Sequence, residues 1–494
     1  MIGKKDRWRQ VLFVVFDLDR LVPQDNILRR IDDRVKLAWV RDEVRDSYCE
    51  YDGRPSVDPE VALRLMLAGF FYGIVKDRTL LRRAHTDFAI RWFIGYRMDE
   101  DLPHHSSLEK IRNRWGIERF RRIFRRIVRE CVKAGLVDGN LVHIDATLIR
   151  ADVSWESLVD EYVDKTIKEN TLPGSGVPEA LREQPLAAPK PKRGRRRSKP
   201  AKKKKHSKTD PDATMTTSNH NRAMEPCFKQ HTAVDDKAGV ILDATVTTGE
   251  TSEGEQLLAQ IKRVEENTGA KVGIVTCDAG YAHGKNYAEL EQRGTEAVIP
   301  PQPENRHVKK IPLRRFKYDA QHQIVRCPRG KILRRSHEDK KDQGWVYRSQ
   351  ASDCRKCPLR SRCLTGKARS RTVKIVKYYE ALLRARRRKA KGWDATTKER
   401  YNRHRWRAEG KHGEAKVEHG LRRAVRRGLA KVGIQALLTA IAMNLKVLVG
   451  PFVAQRNQTF LAILGDDYLI IWTVCPAAVR TSRPRALFSC RIAA

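Results

Sequence analysis

Apolar residues recur along this chain with two different periods, and the change from one to the other divides it. Residues 1–140 follow a helical period. The stretch "SVDPEVALRLMLAGFFYG" sets Asp58 as an N-cap and Pro59 at the first helical position, and is apolar nearly all round, which predicts a buried helix. "SSLEKIRNRWG" carries Ser106-x-x-Glu109, the spacing of a capping box, with Lys110, Arg112 and Arg114 on the short helix that follows. In "GIERFRRIFRRIVRECVKAG" the residues Ile117, Phe120, Ile123, Phe124, Ile127 and Val128 share one face, and a row of arginines falls off it. A helical unit with a basic exterior fits two descriptions: a DNA-binding domain, as in a helix-turn-helix, or an ordinary bundle with a solvated basic surface.

At residue 141 the period becomes two. "LVHIDATLIRA" puts His143, Asp145 and Thr147 on one face of a strand and Val142, Ile144, Ala146 and Leu148 on the other. Asp145 is therefore mid-strand, where a carboxylate is disfavoured unless it has a partner or a task. "FKQHTAVDD" and "GVILDATVT" predict two strands joined by a turn at residues 236–239. "TSEGEQLLAQIKRVEENTG" predicts a helix opened by a Ser252-x-x-Glu255 box. "KVGIVTCDAGYAHGKN" is a buried strand that runs into Asp278; "NYAELEQRG" is a short helix and "EAVIP" another strand. An antiparallel start followed by parallel crossovers is the order a ribonuclease-H-like sheet needs. Asp278 admits two readings. Asp-Ala-Gly is good turn chemistry, and the carboxyl end of a core strand is where open α/β sheets hold their ligands.

Two segments interrupt the pattern. Residues 187–210 form a basic, Pro-containing low-complexity run that predicts disorder, either as a nonspecific DNA contact or as a passive linker. Residues 311–370 are basic and hold Cys327, Cys354, Cys357 and Cys363. Cys354-x2-Cys357 has the spacing of a zinc knuckle, which Cys327 and Cys363 would complete; four reduced thiols in a small subdomain is the other reading. Beyond them, "RYNRHRWRAEGKHGEAKVEHGLRRAVRRG" is charged and helix-favouring, and residues 434–449 supply an apolar helix. Asn444 and Lys446 within that helix favour a buried core element over a membrane span. The early "VLFVVF" is too short for a leader peptide. Residues 451–494 carry no pattern.

Composition then narrows the partner. Hydrophobic residues make up 40% of the 494, enough for real cores, but 100 Lys and Arg face 60 Asp and Glu, a formal net charge of +40. Such a field attracts a phosphate backbone. Ten unevenly spaced cysteines do not describe a secreted disulfide scaffold, so the expectation is an intracellular protein.

"HIDATLIRA", "TCDAGYAHGKN" and "AEGKHGEAK…GLRRAVRRGL" together resemble the three catalytic blocks of the DDE transposases of bacterial insertion sequences, in the branch with a Tyr-Arg-Glu-Lys signature. "DGRPSVDPEVALRLMLAGFFYGI", the cysteine cluster and "TDPDATM" add to the resemblance, which covers about residues 20–450. It implies an α/β RNase H-like catalytic core, a mixed sheet flanked by helices, with an N-terminal all-α domain and a Cys-containing insertion. The divisions are then 1–140 (helical, DNA-binding), 141–160 (first catalytic strand), 161–212 (basic linker), 213–310 (core), 311–370 (Cys-rich insertion), 371–450 (helices bearing the last acid) and 451–494 (tail). The family's acids fall on Asp145, Asp278 and Glu409, as ligands of two Mg²⁺ or Mn²⁺ ions. Arg405 and Lys416 fall on its DNA-contacting positions, while its tyrosine would fall on Asn402, one residue from Tyr401. Double-stranded DNA is the implied partner, both element terminal inverted repeats and target, bound by a homodimer in the cytoplasm at the bacterial nucleoid, with no membrane. Three carboxylates suit this chemistry, because hard Mg²⁺ prefers oxygen ligands and a metal pair both activates water and stabilises the leaving oxygen. Glu414 and Glu418 lie on the same predicted helix as Glu409, but at ~100° per residue they point away from it, while Lys416 shares its face. The alternative is a catalytically inactive DNA-binding relic of such a transposase.

Overall fold

The structure, a computed structural model, describes residues 17–49, 56–155, 158–160, 205–217, 223–302, 311–339, 343–366, 368–456, 461–463 and 469–471. The apolar run 11–16, the basic segment 161–204 and most of the tail 451–494 lie outside the described residues.

The longer helices that lead the chain are α1 (Ile27–Arg34), α2 (Pro59–Phe71), α3 (Asp77–Thr86), α4 (Phe88–Ile94) and α5 (His105–Lys133), with short turns of helix at Leu18–Leu21 and Val40–Val44. Helix α2 begins as its sequence dictates, with the Asp58 carboxylate accepting the Glu60 N–H at 2.9 Å and Pro59 in the first turn. Helix α5 is two helices joined at Gly116, whose φ of 66° only glycine adopts without strain. Its first half is capped by His104, not by a Ser106–Glu109 box: the His104 Nδ1 accepts the Ser106 N–H. Its second half buries Phe120, Ile123, Phe124, Ile127 and Val128. The arginines off that face are mostly engaged. Arg119 pairs with Asp46, Arg122 with Glu43, Arg125 donates to Asn267, and Arg126 lies over the Trp39 ring. Much of the predicted basic exterior therefore ties α5 to its neighbours.

The central sheet is built from β1 (Leu141–Arg150), β2 (Glu225–Asp235), β3 (Ile241–Thr248), β4 (Ile274–Thr276) and β5 (Glu296–Val298), in the order β3-β2-β1-β4-β5. Strands β1, β2 and β3 are antiparallel neighbours; β4 runs parallel to β1, and β5 parallel to β4. The crossovers are helices α6 (Glu253–Thr268) and α7 (Gly284–Arg293). Ser252 stands at the N-cap of α6, but its side chain makes no cap bond. Short strands Leu158–Asp160, Lys205–Ser207 and Thr214–Thr216 extend the sheet from β2 to eight strands. The predicted linker 161–212 is thus too long at its C-terminal end. Residues 205–207 are strand, and Asp210 and Asp212 accept the Gly428 and Leu429 N–H groups.

The Cys-bearing insertion is a second sheet, antiparallel and five-stranded, of β6 (Lys317–Asp319), β7 (Ile324–Arg326), β8 (Ile332–Asp339), β9 (Gly344–Ser349) and β10 (Thr372–Val376). It has its own small core around Phe316, Val325, Leu333 and Tyr347. The chain returns through α8 (Tyr379–Lys391), α9 (Ala395–His404), a π-helical turn Arg405–Glu409, α10 (Gly410–Val417) and α11 (Leu429–Arg456).

One buried cluster runs through the N-terminal helices, the central sheet and α11. Residues 429–450 of α11 are long and apolar enough to span a bilayer, yet 89% of the most apolar stretch is buried inside the protein. Its polar residues have partners. Asn444 gives and takes a 2.8 Å hydrogen bond with the backbone of Ile241, closing the outer edge of β3. Lys446 reaches Glu414 at 2.9 Å and Glu418 at 2.6 Å.

Candidate active site

Strand register brings the first two acids together. Strands β1 and β4 pair in parallel with His143 opposite Thr276, and Asp145 and Asp278 each stand two residues further on. The side-chain period of two keeps each acid on the face of the residue before it in the count. Both carboxylates are half-buried. Burial first, and then the charges of Glu253 and Asp145, raise the Asp278 carboxyl to about 6, against the stabilising Gly280 N–H. The turn reading of Asp278 holds, and the charge of Asp145 acts on the same carboxyl. Its Oδ1 accepts the Gly280 N–H at 2.8 Å, capping the short turn Ala279–Tyr281, and its charge still meets that of Asp145. Burial pushes Asp145 upward, but the neighbouring His412 outweighs it and holds the carboxyl below its ordinary value. His412 Nδ1 lies 3.5 Å from Asp145 Oδ2, and its buried Nε2 has no partner among the described residues.

Glu409 stands off from this pair. Its side chain is 59% exposed and lies 3.5 Å from Arg405, which is itself 83% exposed. The three acids share one neighbour, Tyr401: burial, then the charges of Asp278, Cys277, Glu409 and Asp145, raise its phenol. The π turn takes up the one residue by which Tyr401 stands out of register with the family signature. The Gly410 N–H bonds to the Arg405 carbonyl, five residues back, so the turn takes up one extra residue. Tyr401 and Glu409 are eight residues apart, and this turn restores the facing that seven would give in a regular helix.

Glu414 and Glu418 are held elsewhere. Glu414 lies 2.9 Å from both Lys411 and Lys446, and 3.6 Å from His419. Burial opposes its ionisation, but His419 and the two lysines hold it far below the carboxylate range. Glu414, Glu418 and His419 form the one tight group of three metal-type ligands among the described residues, and the Lys446 ammonium already reaches all three.

Behind the acids runs a buried chain of hydrogen bonds that sequence reasoning missed. Asp236 Oδ1 meets His143 Nε2 at 2.9 Å; His143 Nδ1 meets the Thr276 hydroxyl at 2.6 Å; that hydroxyl meets His404 Nδ1 at 3.0 Å. The three inner residues come from β1, β4 and α9, the elements that carry or lead to Asp145, Asp278 and Glu409. Burial pushes His404 down to about 4, so it is neutral at ordinary pH. The available signal was a polar residue in each of two apolar strands; His404 stands in a charged helix, and the meeting of the three was not legible.

The remaining predicted residues separate. Lys416 is half-buried and lines a cavity of about 260 Å³ with Arg422, Arg150, Cys227 and Glu225. Burial, then the Arg422 charge, lowers its ammonium. Arg150 pairs with Glu225, whereas Lys416 and Arg422 have no carboxylate partner among the described residues. Lys110 and Arg114 are exposed, the latter over the Tyr48 ring. Arg112 departs from the expected DNA-contacting row: it is 4% exposed and bonded to Asp77, which Arg426 also holds, because its side chain points into the bundle. Cys327, Cys354, Cys357 and Cys363 line one cavity of about 280 Å³ but do not close into a tight ligand set.

Comparison with known proteins adds the class. Residues 16–114 match a transposase domain (DUF772), and residues 326–449 match a transposase DDE domain. The second segment contains Glu409, Lys416 and the four cysteines; Asp145 and Asp278 lie outside both. No curated protein matches. Among solved structures the chain is similar to a piggyBac transposase synaptic complex with hairpin DNA, with 11% identity and a TM-score of 0.33 over 87% of this chain and 74% of that one. A mixed α/β sheet lying between two transposase segments defines a DNA-cleaving transposase. More narrowly, the chain is a DDE-type transposase of an insertion sequence.

Proposed function

We propose that Asp145, Asp278 and Glu409 are the catalytic acids of this transposase, on an RNase H-like core. The observation that carries the reading is the parallel register of β1 and β4, which pairs His143 with Thr276, so that Asp145 and Asp278 each follow two residues later, Asp278 just past the end of β4. The donor set suits Mg²⁺ or Mn²⁺: the oxygens are hard, and a divalent cation would relieve the charge that Asp145 exerts on Asp278. A pair of such ions held by the three acids supplies a lowered water pKa and a stabilised leaving oxygen. His412 orients the Asp145 carboxylate. Tyr401 lies where the three charges meet, and Arg405 is open to solvent beside Glu409. Lys416 and Arg422, two cations without a counter-charge, suit a DNA phosphate in their cavity. The chain acts on element ends and target as a dimer in the DNA complex, in the bacterial cytoplasm. A structural zinc in the four-cysteine cavity would draw the four thiols into one ligand set.

The test is cleavage of DNA carrying the element's own ends. Asp278→Asn abolishes strand cleavage and leaves end binding intact, measured by gel assay and by fluorescence anisotropy. Retained cleavage in Asp278→Asn sinks the assignment.

A further inference from the structure

Helix α6 begins with Glu253, a residue that the sequence presents as an ordinary acidic first-turn position. Its two oxygens are differently placed. Lys229 Nζ holds Oε1 at 3.1 Å and also donates to the Thr251 carbonyl at 3.0 Å, fixing the side chain from behind. Oε2 lies 3.0 Å from the point where a β-carbon on Gly280 would stand, and Asp278 Oδ1 lies 3.0 Å from the same point. Two carboxylate oxygens thus face a shared gap that exists because residue 280 has no side chain. The φ of Gly280 is not in the left-handed region, so close approach, not backbone freedom, is what calls for glycine here.

A second observation comes from Tyr281. It is fully buried, and its hydroxyl has no hydrogen-bond partner among the described residues. Burial, with the charges of Cys277, Asp145, Glu253 and Asp278, raises that phenol well above its ordinary value. A buried hydroxyl in the field of three carboxylates, with no bonding partner among the described residues, is a polar group open to a water or an added ligand.

We infer that Glu253 is a fourth carboxylate of the catalytic centre, with Oε2 directed at the cation that Asp278 binds. The inference rests on the reading of Asp145 and Asp278 as metal ligands. Oε1 stays with Lys229, so Glu253 offers one oxygen, and the lysine limits the negative charge that accumulates before a cation arrives. Two carboxylates turned to one gap repel, and a divalent ion there would relieve that repulsion.

The experiment is a Mn²⁺ titration of the full chain without DNA, following free ion by electron paramagnetic resonance. Glu253→Gln weakens Mn²⁺ binding by about tenfold or more, as loss of a charged oxygen ligand does. Gly280→Ala, which fills the gap and leaves every charge in place, also weakens it. Parent-like binding by Glu253→Gln, with Asp278→Asn impaired, overturns the inference alone. If Glu253→Gln does not fold, parent-like binding by Gly280→Ala overturns it instead. Parent-like binding by both Glu253→Gln and Asp278→Asn overturns the reading of the whole centre.

Discussion

Thr276 carries one hydroxyl and uses it twice, once with His143 and once with His404, at 2.6 and 3.0 Å. Removing it leaves two buried imidazoles short of a partner and frees β1, β4 and α9 to shift against one another. Thr276→Val is expected to slow strand cleavage by roughly a hundredfold, the order that a misplacement of about 1 Å costs a pre-organised site. End binding should persist, and Thr276→Ser should recover most of the rate. Cleavage by Thr276→Val at the parental rate would show that the chain of bonds does not position the acids. Asp278 gives a pH test. Its folded pKa, about 6, lies above the ordinary 3.8, so the native state binds this proton more tightly than the unfolded chain does. The stability it contributes is fully present below the ordinary carboxyl range and is lost as pH rises through about 6. Without divalent ions, thermal unfolding at pH 5 and pH 8 should show the parent gaining on Asp278→Asn at the lower pH.

At the scale of elements, the helix that bears the third acid shows how a sequence irregularity is absorbed. A regular helix would turn Tyr401 away from Glu409; the π turn Arg405–Glu409 turns it back. Helices α10 and α11 are locked together by Glu414, Lys446 and His419. Glu409→Gln is therefore expected to abolish cleavage with the fold intact. Glu414→Gln should cut DNA nearly as well as the parent but lose about 1–3 kcal/mol of stability, because charged partners are left in a half-buried network. Loss of cleavage in Glu414→Gln but not in Glu409→Gln would require a different catalytic helix face. Asn444 matters for the same physical reason. Asn444→Leu leaves both backbone groups of Ile241 unpaired in the core, at a cost of about 2–6 kcal/mol by denaturant unfolding. In the second sheet, about one zinc per chain by elemental analysis is expected from the four-cysteine set, and Cys357→Ser should lose it. Well-folded protein free of zinc would leave the cysteines as ordinary thiols.

For the whole molecule, charge is the governing property. A net +40 predicts DNA affinity that falls steeply with salt, since each neutralised phosphate releases counterions. A nearly flat plot of log affinity against log salt would sink that reading. Individual arginines count less than the total suggests, because Arg112, Arg119 and Arg122 already hold carboxylates of the protein. Period and spacing by themselves determined the element types of the central core, the start of α2 and the antiparallel-then-parallel strand order, while the three acid positions followed from the family resemblance. These are local quantities: hydrophobic period, capping chemistry and residue interval are written within one stretch of chain. The tertiary structure alone decided which arginines face solvent, that Lys205–Ser207 join the sheet, and that residues 317–376 fold as a sheet. It also decided that His143, Thr276, His404 and Glu253 meet around the acids. Those facts depend on pairings across up to 261 residues, as between His143 and His404, and no local period records a contact whose two halves lie on different elements.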